Sequence, residues 1–145
     1  MSHARKQIRD AVKAALTGLT TTTTNVYVNR AHMLESAKLP CLSIHVRSDK
    51  PRRITETDIE HERTVEIVVE AHAAGASVDD TLDTICAEVE TKIGADATVG
   101  GLLLDCELEG TSIDVSGEGA KPSGMAEMTF NATYSVREGA PEVLL

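Results

Sequence analysis

Aromatic side chains are almost missing from this 145-residue chain: Phe130, Tyr27 and Tyr134 are all it carries, and tryptophan is absent. Base stacking relies on aromatic platforms, so a stacking mode of nucleic-acid binding is disfavoured. The core has to be assembled from Val, Ile, Leu, Met and Ala. Long apolar runs are missing as well; nothing approaches the ~20 residues that cross a bilayer, and no membrane partner is expected. The opening residues, Met1-Ser2-His3-Ala4-Arg5-Lys6, are basic but have no apolar stretch behind them, unlike a signal peptide. The expectation is an intracellular site of synthesis. Cysteine is sparse and odd in number, Cys41, Cys86 and Cys106, with no C-x-x-C spacing. A disulfide framework wants an even count, so these are expected to be reduced, small hydrophobes. Positive charge is the minority, 14 Lys and Arg against 23 Asp and Glu, a net charge of −9. An acidic surface repels phosphate backbones, so nucleic-acid binding by the whole surface is disfavoured and no sequence-specific nucleic-acid partner is expected, a local basic patch being still compatible with the net charge.

What is present is a clear alternation of periods. A chain of this length makes one domain, and one of that size buries roughly two-thirds of its unfolded surface. The expectation is a single unit over 1–137 with a short tail over 138–145, without internal repeats. Ile8, Val12, Ala15, Leu16 and Leu19 recur at helical spacing, predicting a helix from about Ser2 to Thr17 that Gly18 ends. The threonine run Thr20 to Thr24 is too β-branched for a good helix and suits an extended lead-in to a short strand, Asn25 to Asn29. Arg30 to Leu39 is a connection closed by Pro40.

Leu42, Ile44 and Val46 then alternate with Ser43, His45 and Arg47. Val65, Ile67, Val69 and Ala71 alternate with Thr64, Glu66, Glu70 and His72, and Val68 is the exception. Period two means one buried and one wet face. Ser77 with Asp80 predicts a capped helix start, Val78, Leu82, Ile85, Cys86, Val89 and Ile93 its apolar stripe, and Gly94 its stop. Leu104, Cys106 and Leu108 alternate with Asp105, Glu107 and Glu109, and Ile113 and Val115 extend that strand past a bulge near Gly110. The last strand, Met125 to Arg137, turns Met128, Phe130, Ala132, Tyr134 and Val136 inward. The predicted class is α+β, order α-β-β-β-α-β-β: one mostly antiparallel sheet of about five strands with two helices on one face.

Motifs that carry chemistry are weak. Gly117 to Gly124 has the glycines and lysine of a phosphate loop, but Lys121 follows Ala120, Pro122 follows it, and the segment joins two strands. His45, His61 and His72, with Glu66 and Glu70, are the nearest approach to a metal set, without any H-E-x-x-H spacing. Cys41 and His45 share a strand face but lie roughly 13 Å apart by strand rise. Asn131-Ala132-Thr133 matches a glycosylation acceptor inside a strand, an accidental match. No catalytic residue, metal or cofactor is expected.

Charge, by contrast, is patterned. The segment from Asp49 to Glu62 is far longer than the two to five residues of an ordinary hairpin loop. Arg47, Lys50, Arg52 and Arg53 sit at its start, and Glu56, Asp58, Glu60 and Glu62 follow. Arg47, Lys50, Arg52, Arg53, Glu56, Asp58 and Glu60, with Asp105, Glu107 and Glu109 on the later strand, are the candidate partner-binding set. Opposite signs on two patches suit register and orientation between neighbouring copies, with head-to-tail contacts that close a ring.

This layout resembles a known family. An N-terminal helix, a short strand, Leu39-Pro40 opening Cys41-Leu42-Ser43-Ile44-His45-Val46, a charged loop, a second long strand and the helix start Ser77-Val78-Asp79-Asp80-Thr81-Leu82 are similar to the tail terminator proteins of long-tailed phages, the lambda minor tail protein U group. The closing strand, Ala126 to Val136, looks like the last strand of that family. The likeness covers about Ala4 to Val136; the threonine run and the C-terminal tail do not map onto it. The resemblance implies a non-enzymatic virion protein, assembled in the host cytoplasm, that forms a hexameric ring on the tail tube. There it would stop polymerisation and present a head-joining surface, with itself, the tube protein and a head-neck connector as partners. A neck, tail-completion or tube subunit shares the same texture. A small module binding a ligand on the polar sheet face is the alternative outside that class.

Overall fold

A computed structural model describes residues 2–28, 39–53, 60–116 and 122–145. Its elements are α1 (Ala4–Leu16), β1 (Val26–Tyr27), β2 (Cys41–Arg53), β3 (Glu60–Ala74), α2 (Val78–Ala95), β4 (Asp105–Ser116) and β5 (Ser123–Arg137). The order is the one the sequence predicts. The five strands form one sheet in the spatial order β1-β2-β3-β5-β4. From β3 the chain passes through α2 to the far edge, lays down β4, and returns as β5 into the centre.

The sheet is mixed, which corrects the expectation of a mostly antiparallel one. β2 with β3, β3 with β5 and β4 with β5 are antiparallel. β1 runs parallel to β2 through Val26↔Leu42 and Tyr27↔Ser43. Residues 28–40 separate those strands, the dozen or so that a parallel crossover needs.

Both helices cover one face. α1 lies over β1 and β2, and α2 over β3, β5 and part of β4. Ile8, Val12 and Leu16 of α1 and Leu82, Ile85 and Val89 of α2 meet Ile44, Ile67 and Met128 from the sheet, all essentially without solvent exposure. Leu82 packs so close to the sheet that a Cβ at Gly124 would sit 3.0 Å from its Cδ1. On the opposite face Cys41, Ser43, Val68 and Glu70 are also buried, so Val68 breaks the alternation where that face is not wet.

Several local expectations give way to turn geometry. The threonine run is a tight turn: Gly18 N–H donates to the Thr23 carbonyl at 2.7 Å, and Thr23 has φ +50. Glu88 of α2 pins it, accepting from the Thr21 N–H at 2.9 Å and from the Thr21 hydroxyl. Ser77 holds the N-cap position, but its side chain makes no capping bond because its backbone (φ −106, ψ 35) is outside the extended region that a cap uses. Asp79 and Asp80 still favour the positive end of α2, and Lys92 its last turn. Leu104 is half exposed, not inward; Leu103 takes the core position, because β4 starts only at Asp105. Gly100 and Gly101 lead in with φ +76 and +87, left-handed backbone suited to glycine. After β5 the chain packs back: Ala4 N–H donates to the Pro141 carbonyl at 2.8 Å and Leu145 N–H to that of Ser135 at 2.9 Å.

All three cysteines are unpaired and buried. Burial pushes the Cys41 and Cys106 thiols up to about 11 and raises that of Cys86. Only a thiolate attacks a disulfide reagent. The native protein at pH 8 is therefore expected to react at close to none of its thiols, and the denatured protein at all three; rapid native labelling in a thiol-titration assay would contradict the core position of these side chains.

Candidate functional site

The charged segment is mostly strand, which corrects the loop expected from Asp49 to Glu62. β2 and β3 continue as a two-stranded ribbon with Lys50 opposite Thr64, Arg52 opposite Glu62 and Arg53 opposite His61. Only 54–59 separates the two strands, and Glu56 and Asp58 lie outside the described residues. Beyond the core the ribbon has no apolar side to keep dry, so its strands show no hydrophobic alternation.

A bulge at Ser48 sets the ribbon's phase. Ser48 has φ +60, and the register passes from Arg47↔Glu66 to Asp49↔Val65. One inserted residue exchanges the faces. Before the bulge Leu42, Ile44 and Val46 point toward the helices; after it Asp49 does. Lys50 and Arg52 consequently share the other face with Arg47.

Asp49 closes the end of the core. Its side chain is 7% exposed. Oδ2 accepts from the Tyr134 hydroxyl at 2.6 Å and from Arg63 Nη1 at 3.4 Å, and lies 3.6 Å from Arg5 Nε. Four elements, α1, β2, β3 and β5, meet on that oxygen. Burial, and then the bond to Asp49, pushes the Tyr134 hydroxyl up to about 12. Sequence reading turned Tyr134 inward without naming a partner; a buried tyrosine hydroxyl usually needs one, and that was the available signal.

On the face away from the helices, Arg47 is engaged within the fold. Its Nε donates to Glu66 Oε2 at 2.7 Å, and its Nη groups reach Glu127 at 3.3 Å and Thr129 at 3.5 Å. These bonds raise its pKa, the Glu66 bond most of all. Arg52 is looser, 3.7 Å from Glu62 with a side chain 74% exposed, and Lys50 is exposed. Glu60 starts β3 in register with Arg137.

The histidines only partly converge. His45 Nδ1 and His72 Nε2 lie 3.4 and 3.7 Å from the two oxygens of buried Glu70. His61 is in register with Val136 on the helix side, and Glu66 belongs to Arg47. Among the described residues no group of three or more His, Cys, Asp or Glu is placed to hold a metal. The glycine-rich segment joins the hairpin of β4 and β5, paired as far as Ser116↔Ser123; 117–121 lies outside the described residues.

The acidic candidates occupy the opposite edge. β4 pairs only with β5 among the described residues. Asp105 and Glu107 stand opposite Thr133 and Asn131, away from the helices, and Glu109 forms the expected bulge between Leu108 and Gly110. All three are exposed. Three strand spacings, about 14 Å, separate β4 from β2. The structure therefore keeps Asp105, Glu107 and Glu109 apart from the cations of β2 within one molecule, while Glu60 and Glu62 of β3 lie in the ribbon beside them.

Removing the hub should be costly. Asp49→Ala leaves the Tyr134 hydroxyl and Arg63 buried without their acceptor, and should lower the unfolding free energy by about 3 kcal/mol. Tyr134→Phe loses one bond to a charged acceptor, about 1.5 kcal/mol. Urea unfolding measures both; a loss below ~0.5 kcal/mol for Asp49→Ala would show that the cluster does not close the core.

A comparison with protein families finds a match to phage minor tail protein U over residues 3–134, nearly the whole folded chain. No curated protein matches it. Element order, the two-helix face and that match agree, and the chain belongs to the phage minor tail protein U family, structural proteins of the phage tail.

Proposed function

We propose that this protein is a tail terminator: a ring, hexameric in its family's manner, that sits on the end of the tail tube and stops its polymerisation. Its outer surface then joins the neck of the head. The observation that carries the reading is family membership over residues 3–134, in a chain that holds exposed Lys50 and Arg52 on β2 and exposed Asp105, Glu107 and Glu109 on β4, at the far edge of the same sheet. Heterologous patches build closed rings when the rotation between copies closes. The partners are further copies, the tube protein and a head-neck connector. Assembly takes place in the host cytoplasm, before the head is joined.

Tube subunits polymerising in the presence of this protein should give tubes with capped ends and arrested growth in electron micrographs. Incorporation along the tube would make it a tube subunit, and absence from tube ends would overturn the terminator reading. Replacing Arg52 and Arg53 together by glutamate should weaken ring or tube association by about tenfold or more while circular dichroism and the urea midpoint stay unchanged. An unaltered assembly yield would assign those two residues to solvent alone.

A further inference from the structure

We infer that the charged ribbon of one copy docks on the β4 edge of the next, so that the occupant of each edge is a second copy of this chain. The inference rests on the ring-forming reading and names the surfaces that would build the ring. The β4 edge is uncovered among the described residues over Asp105–Ser116. It carries Asp105, Glu107, Glu109 and Asp114, and the sequence has no lysine or arginine between Lys92 and Lys121. Leu104 and Ile113, 53% and 51% exposed, flank this acidic row with apolar surface. A long open edge with exposed apolar residues is an aggregation hazard unless something covers it.

Charge decides what covers it. Pairing β4 with β4 of another copy would set its acids against one another, and pairing ribbon with ribbon would do the same to Lys50 and Arg52. Like charges placed opposite each other are destabilising, so both two-fold arrangements are disfavoured. The ribbon against β4 is the complementary pairing. The ribbon's one acid in β2, Asp49, is turned inward onto Tyr134, and its acids Glu60 and Glu62 lie on the inner strand β3. Arg52, 74% exposed and only loosely paired with Glu62 at 3.7 Å, and exposed Lys50 put the positive charge on the outer strand. Pro51 lacks an N–H, and the bulge at Ser48 interrupts the ladder, so the contact is made by side-chain charge and not by a continuous sheet. Each copy offers one ribbon and one β4 edge, which makes the contact heterologous.

The test reverses each edge separately. One variant carries Lys50→Glu and Arg52→Glu, the second Asp105→Lys and Glu107→Lys, and a third combines all four. Sedimentation velocity should find the wild type growing to ring mass with concentration and each two-site variant at least tenfold weaker. The combined variant, and an equimolar mixture of the two deficient variants, should recover ring mass, because each interface again joins opposite signs. Carbodiimide coupling of mixed light- and heavy-isotope wild type should join Lys50 of one copy to Asp105 or Glu107 of another, a readout independent of variant folding. Rings that ignore the reversals, no rescue on mixing, or a wild type that stays monomeric without such cross-links would each overturn the contact. Rings insensitive to reversal that still cap tube ends would leave the terminator reading standing, whereas failure to cap tubes would remove that reading whatever the cross-links show.

Discussion

One carboxylate oxygen, Asp49 Oδ2, organises the end of this molecule where core gives way to charge. Tyr134, Arg63 and Arg5 converge on it from β5, β3 and α1. A buried carboxylate is costly to desolvate, and it is tolerated here because a hydroxyl and two guanidinium groups surround it. The cluster fixes the base of the ribbon against the body. Without an anchor there, a two-stranded ribbon would be marginal in water.

The polar sheet face is organised on a different principle. Arg47 spans three strands, binding Glu66 on β3 and Glu127 and Thr129 on β5, and offsets acids that would otherwise crowd one another. Farther along β2 Arg52 keeps only a loose pairing with Glu62, 3.7 Å away, and on β4 Asp105 and Glu107 stand opposite the uncharged Thr133 and Asn131. The molecule is thus neutralised locally at its centre and polarised between its edges. A net charge of −9 conceals this division.

Much of the body was legible in the sequence because burial imposes periodicity. The stripes of α1 and α2, the inward set of β5 and the bulge near Gly110 all follow from spacing alone. What was not legible depended on single backbone turns. Residues 49–53 were read as loop because the Ser48 bulge changes which residues face inward, and the first residue past it is an aspartate. The histidines looked like one wet-face group, yet unbroken alternation along β3 puts His61 on the same side as Val65 and Ile67, a signal the spacing already carried. Leu104 fits an alternating pattern, yet the strand begins one residue too late to use it. The parallel pairing of β1 is a long-range fact that a two-residue strand cannot announce.

The Ser48 bulge also has an evolutionary consequence. Up to Val46 every second residue of β2 is constrained by packing, so substitutions there are filtered by stability. Past Asp49 the filter lifts, and Lys50 and Arg52 can change sign or length without touching an apolar neighbour. A single extra residue therefore divides the strand into a conservative half and a half free to drift with whatever surface it meets. Related chains with different partners could keep the body and diverge first along that outer half.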